Sequence, residues 1–430
     1  MSSLFILVVI MFNVGVVQAT QIPRLEPVSP APSAPYWTYL AKAGSAVRTV
    51  AVSADGKTIV AGCNDHSIYV FGSESNATIW KYRTGSIVRS VVVSDNGSTI
   101  VAGSADQFIY AFSRSDNTTL WKYKTGALVP CVSISADGNT IVAGSQDGFI
   151  YVFSRSSNST LWRFNCISQV MSVAVSADGN TIVAGGSDQH IRVFSRSSNA
   201  TLWQYQPKAG SVGLDVLTVA ISADGNTIAA SAASTTRYGI YTFGRASNST
   251  LWTYNASSWV WGVAVSRDGT TVATGGVDCY LRTFARTSNT TLISYNTTAW
   301  MYRSVAISSD ASSIVCGNSA FPANNSKVLF FSKTLGFVGN CTISQGIGGS
   351  TGDSGLSAGI SGNGTISAYG GESGKIFVFN YNIPQAPPQS NPSELPITII
   401  ALIIGAVAIL AIVAIVLLAK RSKGTSRKKQ

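Results

Sequence analysis

The chain offers nineteen carboxylates, two histidines and six cysteines for acid–base, nucleophilic or metal-ligating chemistry. Their spacing decides what they can do. Asp55, Asp95, Asp137, Asp178, Asp224, Asp268 and Asp310 recur beside one turn of Ser-Ala-Asp-Gly type, and Asp65, Asp106, Asp147, Asp188, Asp278 and Glu372 recur at a second turn. Glu74 and Asp116 mark a third turn, and Glu26 and Glu394 lie in linkers. A short carboxylate that returns at the same turn of each copy is spent on nearby backbone N–H groups. Only Asp215 and Asp353 fall outside these classes, so a two-carboxylate site would have to use them or recruit a turn residue. His66 and His190 belong to different copies and have neither a nucleophile nor a metal ligand at useful spacing. The turns lack the alternating oxygen ligands of a calcium loop. No catalytic residue, metal or cofactor is expected. Cys63, Cys131, Cys166, Cys279, Cys316 and Cys341 allow fifteen complete pairings; Cys316–Cys341 and Cys131–Cys166 are the pairs nearest in the repeat, and buried free thiols are the alternative.

The elements that must carry these residues are eight copies of one unit. Turn glycines at Gly56, Gly97, Gly138 and Gly179 stand 41 residues apart, and Gly225, Gly269 and Gly364 continue the series through stretched copies. A seventh copy has Asp310-Ala311 in place of Asp-Gly. The third copy reads as four short strands, CVSIS, TIVAGS, FIYVFS and TLWRF, separated by polar turns. Four-strand units near 40 residues predict the blades of a β-propeller. The eighth copy stops at Phe377-Val378-Phe379 without a fourth strand, whereas Tyr36-Trp37-Thr38-Tyr39 precedes the first copy and has that missing pattern. The expectation is an all-β, eight-bladed propeller over residues 36–382, closed by its N-terminal strand. Its outer strands are anchored by Trp37, Trp80, Trp121, Trp162, Trp203, Trp252, Ile293 and Phe337.

The stretch DGFIYVFSRSSNSTLWRF (147–164) resembles the repeat of quinoprotein (PQQ-type) propellers, and VMSVAVSADGNTIVAGGSDQHIRVF (170–194) resembles a WD-type repeat. The resemblance covers residues 36–382. It implies a propeller, and for a quinoprotein dehydrogenase it would imply a catalytic aspartate, acidic calcium ligands and two adjacent cysteines. The chain has no Cys-Cys pair.

The ends of the chain carry a different message. Residues 1–19 read as a signal peptide ending in Val17-Gln18-Ala19, and residues 20–35 form a proline-rich segment. Residues 383–396 form a proline-rich stalk of at most about 43 Å. Residues 397–419 are an uncharged apolar run, about 34 Å long as a helix and enough to span a bilayer. The basic tail, 420–430, places the C-terminus in the cytoplasm and the propeller outside the cell membrane. The formal charge is +11, but six cations lie in that tail, so the remaining bias is too weak to argue for nucleic acid.

Twelve Asn-X-Ser/Thr sequons follow the repeat. Asn76, Asn117, Asn158, Asn199, Asn248 and Asn289 fall at third turns and Asn96 and Asn363 at first turns, which share one face of the disc. Asn255, Asn296, Asn324 and Asn340 fall on the other face. All are glycosylation candidates, and the stalk leaves from the crowded face. On the sequon-poor face, SSWVWGV and TTAWMYRSV gather Trp259, Trp261, Trp300, Tyr302 and Arg303 on adjacent blades, with Arg48 and Arg89 at the position of Arg303 in the first two copies. These residues either fill the blade junction or bind a partner. The expected function is a membrane-anchored binding or adhesion scaffold with an extracellular protein or glycan partner. A membrane-bound quinoprotein-like dehydrogenase and a structural envelope component are the alternatives.

Overall fold

The computed structural model describes residues 31–210, 212–301, 304–318, 326–343 and 357–383. Signal peptide, stalk, membrane run and tail lie outside these residues, as do Tyr302, Arg303, Asn324 and Asp353.

Eight four-stranded antiparallel sheets follow one another around a ring. Blade 1 comprises Val47–Val52, Thr58–Cys63, Ser67–Gly72 and Thr78–Arg83, from the axis outward. Blades 2 to 7 repeat this order over residues 88–124, 131–165, 170–205, 215–255, 260–296 and 305–342. Blade 8 takes three strands from residues 357–380 and its outermost strand, Trp37–Leu40, from the N-terminus. Trp37 pairs with Val378 and Leu40 with Lys375. The closing strand therefore ties the two ends of the ring by an antiparallel ladder.

Six of the eight junctions are sealed in the same way. The outer-strand tryptophan packs on the next blade's phenylalanine, as Trp80 does on Phe112 at 5.2 Å. Its indole N–H donates to a carbonyl of that next blade: Trp80 to Arg114 at 2.9 Å, Trp121 to Arg155 at 2.8 Å, Trp252 to Arg286 at 2.9 Å. Trp37 makes the equivalent bond to Ser73 at 2.7 Å and packs on Phe71 at 5.4 Å, so the closing junction matches the others. The second-strand glycines permit this closeness: a Cβ on Gly62 would lie 2.5 Å from Cγ1 of Val88 in the next blade. Blade 7 departs from expectation. There Phe331 pairs with Phe337 and Phe330 with Gly339, so Gly339 occupies the tryptophan register. A Cβ on Gly339 would meet Ala31 at 2.3 Å, and the Cys341 thiol lies 3.5 Å from the Ser33 carbonyl. The segment before the closing strand fills the gap that a large residue fills elsewhere.

At the mouth of the channel on the first-turn face, the blades join in a closed circle of backbone hydrogen bonds. Asp55 N–H donates to Asp95, Asp95 to Ala136, Ala136 to Ala177, Ala177 to Ala223 and Ala223 to Arg267; Asp268 donates to Ser309, Ser309 to Gly362, and Gly362 to Ala54. Every junction thus has one bond at 2.9–3.1 Å. The Ser-Ala-Asp-Gly turn serves two purposes: its serine and aspartate close the hairpin, and its second residue, small in six of the eight blades, carries the backbone bonds of the circle.

Those turns also set the acid response. Asp137 accepts from the Ser135 hydroxyl at 2.5 Å and from Asn139 N–H at 2.9 Å, and Asp178, Asp224, Asp268 and Asp310 have equivalent bonds. Burial opposes their ionised forms, but these bonds outweigh it and hold all five carboxyls below the usual aspartate range. The unfolded chain therefore binds more protons below about pH 4, and stability present above that pH is lost as pH falls through the folded-state values. Urea titrations from about pH 6 to pH 3 should show a falling midpoint, and Asp178→Ala should flatten part of the fall.

Candidate functional site

The first strand of most blades carries a bulge near the channel. In blade 6, Val260 pairs with Gly276 and Gly262 with Gly275, leaving Trp261 as the extra residue. Arg48, Arg89, Met171 and Leu217 take the same position in blades 1, 2, 4 and 5. A bulge re-aims one side chain without disturbing the strand's register beyond it. Trp261 lies parallel to Trp259, with ring centroids 5.6 Å apart and planes within 9°. Tyr238, the first residue of the third strand of blade 5, packs on Trp259 at 5.8 Å. Trp259 and Trp261 are half-buried and Trp300 is 40% exposed. Trp259, Trp261 and Tyr238 form a partly exposed aromatic cluster rather than a sealed core, and Trp300 stands exposed at the entry to blade 7. Tyr238 was not legible as part of the cluster, because it enters from the longer hairpin of blade 5.

Arg48 and Arg89 lie on blades 1 and 2, three and four steps around the ring from blade 6, and Arg303 lies outside the described residues. Arg48 Nε donates to Asn64 Oδ1 at 2.5 Å.

The second-turn aspartates are bound to residues of their own blades or of the segments that lead into them. Asp106 accepts from Tyr110 hydroxyl at 2.8 Å, Gly85 N–H at 2.6 Å and Phe108 N–H at 3.0 Å, and Asp147 does the same with Tyr151, Gly126 and Phe149. Burial and then the aspartate partner push the Tyr110 and Tyr151 hydroxyls upward. In blades 4 and 6 the tyrosine is replaced by an arginine, giving Arg192–Asp188 and Arg282–Asp278 ion pairs. Two carboxyls shift opposite to the first-turn aspartates: burial, then the charge of Asp188, raises the pKa of Asp215, and burial raises that of Glu372. No group of three or more His, Cys, Asp or Glu among the described residues is arranged to hold a metal.

None of the six cysteines is paired; five are buried and Cys279 is partly exposed. Neither Cys316–Cys341 nor Cys131–Cys166 forms, because these thiols pack as small apolar groups within the blades. Burial pushes Cys166 up to about 12, which keeps it protonated at neutral pH.

At the opposite mouth, Asp95 of blade 2 and Arg267 of blade 6 form an ion pair across the axis. It sits over a cavity of about 250 Å³ lined by one β-branched residue per blade, from Val52 and Val93 to Ile307 and Ile360.

All eleven described sequon asparagines are exposed. Five at third turns donate through Nδ2 to the preceding blade's outer strand, including Asn117 to Lys81 at 3.3 Å and Asn289 to Thr253 at 3.1 Å. Asn96 and Asn363 take the aspartate's place in the first turn, accepting from Ser94 and Ser361.

A closed ring of eight repeating sheets with its carboxylates bound into turns defines a propeller scaffold. A PQQ-type repeat profile, described as outer membrane protein assembly factor BamB, matches residues 28–148 and 130–235, and the WD domain, G-beta repeat matches residues 248–284. The chain belongs to the PQQ/WD-repeat propeller family. No curated protein matches this sequence.

Proposed function

We propose that the protein is a membrane-anchored, glycosylated extracellular propeller that binds a protein or glycan partner. The observation that carries this reading is the half-buried stack of Trp259 and Trp261 with Tyr238 beside it and Trp300 exposed on the next blade. Partly exposed aromatic side chains are suited to stacking on a sugar ring or anchoring an apolar side chain. The apolar run 397–419, the exposed sequons and the matched family of an outer membrane assembly factor support the same direction.

A quinoprotein-like dehydrogenase is the second reading, favoured by the PQQ-type match. PQQ is an acidic quinone held with calcium, and the donor set of the described residues does not fit it. The channel cavity has one carboxylate in its lining, Asp95, already paired with Arg267, and the second-turn acids of blades 2, 3, 4 and 6 face tyrosine or arginine.

The test is a Trp259→Ala, Trp300→Ala double variant of the full chain, assayed for capture of envelope proteins and a panel of neutral oligosaccharides. We expect capture to fall at least about tenfold with stability changed by less than about 1 kcal/mol. Unchanged capture would overturn the site. Loss of about 3 kcal/mol or more per tryptophan would identify these residues as packing groups.

A further inference from the structure

The outer strands alternate between a row packed on the next blade and a row facing solvent. The solvent row of blade 1 is Ile79, Lys81, Arg83; that of blade 2 is Leu120, Lys122, Lys124; that of blade 3 is Leu161, Arg163, Asn165. All these residues are exposed. Blades 4, 5 and 6 carry Leu202 and Gln204, then Leu251, Thr253 and Asn255, then Leu292, Ser294 and Asn296, with no charge. The closing strand of blade 8 and the outer strand of blade 7 carry none either. Five exposed cations therefore cover three consecutive blades, and none stands on the corresponding rows of the other five.

The neutral side has its own mark. In blades 5, 6 and 7 the row contains the sequons Asn255, Asn296 and Asn340, all exposed. In blade 3 the equivalent Asn165 is followed by Cys166-Ile167 and is no sequon. Sequons on this row lie on the flank opposite the cations. The cations are also positioned: Lys81 Nζ lies 4.7 Å over the Tyr69 ring, Lys122 5.3 Å over Phe108 and the Arg163 guanidinium 5.0 Å over Phe149. A ring face beneath each stem holds the charge at the surface.

We propose that the flank of blades 1–3 is a docking surface for an acidic polysaccharide, a linear chain bearing sulfate or carboxylate groups. Charge complementarity selects an anion. The spread of five cations over three blades selects a chain with repeated charges over a single headgroup. An apolar anchor does not select this flank, because the exposed aliphatic residue that begins each row recurs on the neutral blades, at 41% for Ile79 and 55% for Leu292. The cationic flank stands on the described residues alone, whereas an extracellular occupant rests on the proposed localisation.

Heparin is the probe, with retention of the full chain measured against rising salt. The flank variant is Lys81→Ser, Lys122→Ser, Arg163→Ser. Its control, Gln204→Glu, Thr253→Glu, Ser294→Glu, changes net charge equally on the neutral rows. The six tail cations are common to both. We expect about a tenfold weaker affinity and a shallower salt dependence for the flank variant, with the control near the parent. Equal loss in both variants would show a net-charge effect and overturn the proposal, as would unchanged binding. Equal or tighter binding of polyglutamate or of phosphatidylglycerol vesicles, lost in the same variant, would overturn the polysaccharide assignment. If the triple variant fails to fold, Arg83→Ser with Lys124→Ser gives an independent reading. Binding of neutral oligosaccharides at the aromatic cluster is unaffected by these changes, so failure here and failure of that site are separable.

Discussion

Deletion of residues 36–40 is expected to collapse the stability of the whole ring rather than of one blade. The deletion removes the ladder from Trp37–Val378 to Leu40–Lys375 and the Trp37 bond to Ser73. It also uncovers Phe71 and Tyr69, against which Trp37 and Tyr39 pack at about 5 Å. Blade 8 would then present an unpaired third strand, Lys375–Asn380, to solvent. Trp37→Ala alone should cost about 3 kcal/mol, as for emptying a large aromatic site. Trp37→Phe should retain most packing and lose only the indole bond, about 1 kcal/mol. Thermal and urea unfolding of the full chain check the series. A deletion variant that melts with the parent would refute closure by the N-terminal strand.

The same junction predicts a large effect from a single added methyl group. Gly374 has φ of +81°, and a Cβ there would lie 1.9 Å from the Lys42 carbonyl oxygen. Both the conformation and the obstacle belong to backbone, so no rotamer change relieves them. The obstructed segment is the loop that leads from the closing strand into blade 1: Ala41 N–H donates to Gly374 at 2.9 Å and Val47 N–H to Gly371 at 3.0 Å. Gly374→Ala should therefore destabilise by about 2–4 kcal/mol, comparable to losing the closing tryptophan. Gly371→Ala is the control, since its nearest obstacle is the Phe377 ring edge at 3.3 Å, a side chain able to yield. A drop of about 1 kcal/mol or less is expected there. Equal effects at the two glycines would refute the backbone explanation.

Much of the fold follows from local signals. The 41-residue spacing of the first four turn glycines, the four strand types and the tryptophan of six outer strands are properties of single repeats, and hairpins form between neighbours in sequence. Even the closing strand was legible, because a missing fourth strand at one end matched a surplus one at the other. Blade 7 shows where such matching stops. Phe337 resembles the anchor residue by type, but a shift in pairing puts Gly339 in that register, and Ala31 fills the space.

The candidate sites divide in the same way. Composition and spacing alone picked out the aromatic residues entering blades 6 and 7 as candidates, the turn role of most carboxylates and the sequons, since each depends on residue type at a repeated position. The stacking of Trp261 on Trp259 depends on a bulge, and Tyr238 joins them from another hairpin. The ion pair of Asp95 with Arg267 exists only because an eight-fold ring places blade 2 opposite blade 6. The separation of cations from the outer-row sequons likewise appears only when strand parity assigns each residue to the solvent row. Repetition determines what each blade is, because it acts through contacts between near neighbours. Closure of the ring decides which blades face each other, since that geometry brings together residues with no local signal linking them.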